Sequence, residues 1–111
     1  MKTTISKQLA IVLTTFSLLT QPVFGQVIFG GADCGQWVSS KTDARKSWLI
    51  GFVSGLNTVG VAIGDKDWLA KVDSAEQIFL FVDNYCQKNP LKRIESAGQA
   101  LMFELTKKRP K

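Results

Sequence analysis

The chain has 111 residues with 14 Lys and Arg, 9 Asp and Glu, two cysteines and no histidine, giving a formal net charge of +5. That length supports one small core. The missing histidine excludes Ser-His and Cys-His dyads and imidazole metal ligands.

The chain opens with a three-part pattern. Lys2 and Lys7 make a positive start, Leu9 to Leu19 is an apolar run, and Val23 and Gly25 follow at the positions a signal peptidase inspects. This predicts a secretory signal peptide over residues 1–25, cut between Gly25 and Gln26. The run is about half of the roughly 20 residues that span a bilayer, which argues against an uncleaved anchor. Residues 26–111 are then a single helical domain, periplasmic or secreted. Removing Lys2 and Lys7 leaves twelve basic against nine acidic residues, and four of the bases lie in the tail Lys107 to Lys111. That tail reads as a frayed helix end, with cations near the negative pole of the dipole, and not as a nucleic-acid patch.

Asp33 is placed to cap a short helix carrying Cys34, Trp37 and Val38, with Ser39 to Asp43 as a turn. From Arg45 to Ile63, the residues Trp48, Leu49, Phe52, Val53, Leu56, Val59 and Ile63 recur on one helical face. A second face carries Gly51, Ser54, Gly55 and Thr58, small enough to admit another backbone. Gly64 suits the end of this helix. The uncharged stretch Trp48 to Gly64 sits at the short limit for a membrane span and contains Ser54, Asn57 and Thr58. A span here would separate the two cysteines, so the stretch is read as part of a globular core.

Asp65 to Asp73 reads as a loop with at most one helical turn. Asp65, Asp67 and Asp73 cluster there, but Lys66 and Lys71 interleave and no calcium-loop spacing is met. Ser74 with Gln77 forms a capping box for a helix of about fourteen residues. On it Ile78, Val82, Tyr85 and Cys86 share one face, while Phe79, Leu80 and Phe81 spread apolar character around the cylinder. Asp83 and Asn84 are expected to point away from the Tyr85–Cys86 face, as surface hydrogen-bonding groups. Asn89 and Pro90 are expected to end this helix and open the next, Asn89 as cap and Pro90 at its first position. The last helix then carries Leu91, Ile94, Gly98, Leu101 and Leu105 on one stripe, with Phe103 opposite.

In an oxidising compartment the two cysteines of a small domain usually pair, which predicts a structural Cys34–Cys86 disulfide. The fold class expected is all-α, a small bundle of about four helices stapled by that bond.

Three stretches carry a resemblance. C-G-x-W at Cys34 to Trp37, W-L-x-G-F-x-S-G-L-N at Trp48 to Asn57, and F-L-F-V-D-N-Y-C-x-x-N-P-L at Phe79 to Leu91 resemble small secreted bacterial proteins. These are similar to the Rap/Tai immunity proteins of type VI secretion and, more loosely, to the periplasmic acid chaperone HdeA. The resemblance covers nearly all of the mature chain. It implies an all-helical domain with one disulfide between its first helix and the helix bearing Tyr85 and Cys86. For immunity members it also implies a dimer that blocks an injected cell-wall amidase. No inhibitory residue of the family maps onto a numbered position here.

The expectation is therefore a non-enzymatic binding protein without metal or cofactor, and with no stable membrane insertion once the signal is cut. An immunity-type inhibitor of a cell-wall hydrolase leads. An HdeA-like stress chaperone and an accessory protein of a secretion or conjugation apparatus are the alternatives. Candidate contact residues are Trp68, which is either a lid over the core or a binding anchor, with Asp65 and Asp67 beside it. Leu80 and Phe103 are surplus apolar side chains expected to meet in a homodimer.

Overall fold

The computed structural model describes residues 27–107. The expected signal peptide, residues 1–25, and the tail beyond Lys107 lie outside the described residues. In chain order come α1 (Cys34–Ser39), α2 (Asp43–Ala62), a short 3-10 turn (Trp68–Lys71), α3 (Ala75–Lys88) and α4 (Ile94–Thr106). The described residues form an all-α fold with four helices. Among the described residues the extended pairing consists of one isolated antiparallel bridge, between Asp33 and Arg93.

α1 forms because Asp33 and Gln36 satisfy each other's backbone donors. Asp33 accepts from the Gln36 N–H at 2.7 Å, and Gln36 Oε1 accepts from the Asp33 N–H at 3.0 Å. A six-residue helix cannot persist alone, and this one is held from three sides. Its Cys34 N–H donates to the Lys92 carbonyl at 2.9 Å. Cys34 and Cys86 are bonded, 4.9 Å apart at Cα, and both are fully buried. Trp37 is fully buried too, and its indole N–H donates to Asp83 Oδ1 at 2.7 Å. Asp83 also accepts from Lys41 Nζ at 2.9 Å. Asp83 therefore ties α3 to α1 and is no detached surface group, because its position one residue along from Val82 turns it toward Trp37.

α2 starts two residues earlier than its apolar pattern suggests, at Asp43, where Thr42 Oγ1 accepts from the Arg45 N–H at 3.2 Å. It ends where Gly64 takes φ +94° and the Asp65 N–H returns to the Gly60 carbonyl at 2.9 Å. Of the expected stripe, Leu49 and Val53 are fully buried and Trp48, Phe52 and Leu56 half-buried, but Val59 and Ile63 are 62% and 80% exposed. At about 100° per residue, Gly60 continues the Leu49–Val53 line and Val59 lies about 100° to one side, while Ile63 follows the last helical residue, Ala62. The glycine face also departs from expectation. A Cβ built on Gly51 or Gly55 meets nothing within 4 Å, so no described backbone approaches there.

α3 begins at Ala75 as expected, but the Ser74 hydroxyl makes no capping bond. Gln77 reaches one residue further back and accepts from the Asp73 N–H at 2.9 Å. Ile78, Val82 and Cys86 form its buried row. The flanking aromatics divide between neighbours. Phe79 lies 6.1 Å from Trp37 of α1, and Phe81 shares a groove with Leu101 and Leu105 of α4, while Leu80 is 59% exposed.

The corner after α3 is longer than the sequence pattern implies. Asn89 does not cap the next helix; its side-chain amide donates backward to the Tyr85 carbonyl at 2.9 Å. Pro90 and Leu91 sit in a turn closed by the Lys92 N–H on the Asn89 carbonyl at 3.0 Å. α4 starts only at Ile94, since Arg93 is spent pairing with Asp33, and the Ile94 N–H donates to the Ala32 carbonyl at 3.0 Å. Leu91 is consequently 97% exposed and no part of the α4 stripe. Ile94, Ala97, Gly98 and Leu101 face the core. Gly98 sets the approach of α2 to α4, because a Cβ there would stand 3.0 Å from Phe52 and 3.1 Å from Val53.

Candidate functional site

The loop leaving α2 is pinned back onto that helix by Asn57. Its side-chain amide donates to Asp67 Oδ1 at 2.8 Å, and its oxygen accepts from the Leu69 N–H at 3.2 Å. An asparagine inside an otherwise apolar run signals such a task, because a half-buried amide needs partners. The pinning lays the 3-10 turn between α2 and α4, with Trp68 half-buried against both.

An open groove of about 280 Å³ results, lined by Leu56, Gly60, Trp68, Met102 and Phe103 on its apolar side, with Asn57, Asp65, Gln99 and Thr106 at its polar rim. Asp65, Trp68 and Phe103 are thus brought together. Asp67 is committed to Asn57, and Leu80 is not part of this groove. Leu56 and Met102 joined the site unannounced, since their spacing on α2 and α4 reads equally well as core.

Trp68 is neither a simple lid nor a free anchor. Its ring is flanked by Lys71 Nζ at 4.7 Å and Lys66 Nζ at 5.7 Å from the centroid. Lys71 also donates to the Leu105 carbonyl at 2.9 Å, near the carboxyl end of α4. The indole N–H is buried and makes no hydrogen bond of good geometry. It leans on the Asp65 carboxylate, and that attraction, with the Lys66 backbone N–H at 2.8 Å, holds the Asp65 carboxyl below the usual carboxylate range. Asp65 is fully exposed to solvent, so this is a local electrostatic preference and not a buried charge.

A second polar feature lies about one turn back along α4, in a cleft that shares Gln99 with the Trp68 groove. The side chain of Glu95, in the first turn of α4, is only 9% exposed, with one oxygen 3.0 Å from Arg93 Nε and the other unpartnered. Arg93 also donates to the Gly31 carbonyl, and Gly31 packs directly on the Glu95 carboxylate, leaving no room for a Cβ. Trp48 Nε1 donates to the Phe29 carbonyl at 2.9 Å, so the amino-terminal segment is strapped over α2 and the start of α4. Sequence reasoning missed this strap, because neither Arg93 nor Glu95 stands out on its helix.

No cluster of three or more metal-ligating side chains occurs among the described residues, and no described helix is long and apolar enough to cross a membrane. Comparison of the chain with protein-family models, with curated proteins and with solved structures gives no match.

Proposed function

We propose that the protein is a periplasmic or secreted binding protein that acts by contact, an immunity-type inhibitor whose partner is a cell-wall hydrolase of the amidase class. The observation that carries this reading is the groove at Trp68. Interface hot spots are typically aromatic side chains in a partly desolvated setting with polar groups at the rim. Trp68, Met102 and the 66%-exposed Phe103 supply that arrangement, with Asp65 beside them to orient a partner's cation. The disulfide supports an oxidising compartment. The choice of a hydrolase as partner rests on the resemblance to Rap/Tai proteins at Trp48 to Asn57 and Phe79 to Leu91.

The test is inhibition and binding with a purified type VI cell-wall amidase, using Phe103→Lys and Trp68→Ala beside the unmodified protein. Phe103 is exposed, so its replacement leaves the melting temperature unchanged while weakening binding at least about tenfold, the scale expected of a hot spot. Binding that neither substitution affects removes the groove from the reading. Reproducible turnover of peptidoglycan by the pure protein, abolished by a point substitution, overturns the reading itself.

A further inference from the structure

Glu95 is the one buried charged residue among those described. Half of its carboxylate is satisfied and half is not. Oε1 accepts from Arg93 Nε at 3.0 Å, whereas Oε2 is sealed from solvent and meets no donor among the described residues. A buried charge lacking part of its hydrogen bonding is costly, so this oxygen calls for a donor.

A donor arriving from outside would have to pass Gly31, which lies directly on the carboxylate. The covering segment can bring one itself. It is held by the Phe29 carbonyl on Trp48 Nε1 at 2.9 Å, by the Gly31 carbonyl on Arg93, and by the Ala32 carbonyl on the Ile94 N–H at 3.0 Å. Ahead of these points, Ile28 lines an open cleft of about 300 Å³ together with Arg93, Glu95, Ser96 and Gln99. Gln26, where the secreted chain is expected to begin, stands two residues before Ile28 and lies outside the described residues. Two residues of extended chain cover about 7 Å, close to the width of a cleft of that volume.

We propose that the α-ammonium set free at Gln26 by signal cleavage settles in this cleft and donates to Glu95 Oε2, locking the amino-terminal segment onto α4. Before cleavage, residue 26 offers only an uncharged peptide N–H tied to the leader. Afterwards it offers a positive charge with several donors, and the Ser96 hydroxyl and Gln99 amide oxygen stand in the same cleft to accept the others. The last torsion of a glutamate side chain is broad, so the carboxylate can swing Oε2 toward the cleft while Oε1 stays on Arg93. One carboxylate has lone pairs enough for both cations. Charge-assisted bonds of this kind are stronger than neutral ones, and processing thereby completes a pair that the precursor leaves open. This pairing depends on the secreted reading given above and on none of the apolar residues of the Trp68 groove.

The experiment uses protein that a host has exported, processed and released from its periplasm. Intact mass is expected to place the start at Gln26 with the amine unmodified. A terminal glutamine otherwise closes on itself: the α-nitrogen attacks the side-chain amide carbon, a C–N bond forms and ammonia leaves. Only the unprotonated amine attacks, so a paired ammonium resists. Glu95→Gln should therefore speed the loss of one ammonia mass at least about tenfold. Gln at this position still accepts from Arg93 Nε, and circular dichroism checks the fold. A second variant, with Gly-Ser inserted before Gln26 and its start verified by mass, carries the ammonium out of reach. The insertion should lower the melting temperature by at least about 4 °C in the unmodified background and leave Glu95→Gln unaffected. An insertion equally costly in both backgrounds, or costless in both, overturns the pairing while leaving the cleavage site standing. So does ammonia loss no faster in Glu95→Gln, or a Gln26 already closed in freshly extracted protein. A chain that starts elsewhere overturns the pairing and the assigned cleavage site together.

Discussion

Replacing both cysteines, Cys34→Ala with Cys86→Ala, separates the contribution of the staple from that of the packing around it. The bond spans 52 residues of sequence. In the loop-entropy treatment, closing a loop of that length stabilises the native state by about 4 kcal/mol. A domain of this size has roughly 4 to 12 kcal/mol in total. At about 4–8 °C per kcal/mol, the melting temperature should fall by roughly 15–30 °C. The loss has a definite location. Without the bond, α1 keeps its Asp33–Gln36 capping box, the Cys34 N–H bond to Lys92 and the Trp37–Asp83 hydrogen bond. α2, α3 and α4 keep a core of Leu49, Val53, Ile78, Val82, Ile94, Ala97 and Leu101. α1 is therefore expected to open first, raising amide exchange over residues 34–39 before α4 responds, with Trp37 fluorescence shifting to the red. A double variant melting within about 5 °C of the original, on the same scale, would refute the entropic argument. Loss of α1 and α4 protection in one step would refute the claim that the core stands without α1.

Asp83→Ala strands the buried Trp37 indole N–H and should cost about 1–3 kcal/mol in urea unfolding, whereas Asp83→Asn keeps an acceptor and costs less. Lys41→Ala removes only the exposed half of the same network and should cost no more than about 1 kcal/mol; equal effects for the two alanine variants would show that the ion pair and not the indole bond matters. For Asp65, the folded carboxyl is held below its ordinary value, so its stabilising contribution is present above the unfolded value and is lost as pH falls through the folded one. An NMR titration should place the Asp65 midpoint below the usual carboxylate range and return it toward normal in Trp68→Phe; a midpoint unmoved by that substitution contradicts the indole's part in it.

The sequence by itself determined the helices, their order and the disulfide. Those depend on local signals: Asp33 as a helix cap, the spacing of Leu49 with Val53 and of Ile78 with Val82, Gly64 at a helix end, and two cysteines behind a secretion pattern. What it misplaced depended on which neighbour arrives. Asn89 and Pro90 form a competent helix start in isolation, yet the pairing of Arg93 with Asp33 uses backbone groups that an earlier α4 would need. Val59 and Ile63 fit a helical stripe, but only tertiary packing decides that the buried line is Leu49 and Val53, with Gly60 half-buried beyond them. The site divides in the same way. Trp68, Asp65 and Phe103 were visible as aromatic and acidic residues without an obvious task, whereas Leu56 and Met102 became groove residues only when Asn57 drew the loop onto α2. Local propensity acts over a few residues and is written in the chain. Whether an apolar side chain ends in the core, in a groove or in solvent is set by elements tens of residues away, and that is settled only once they have packed.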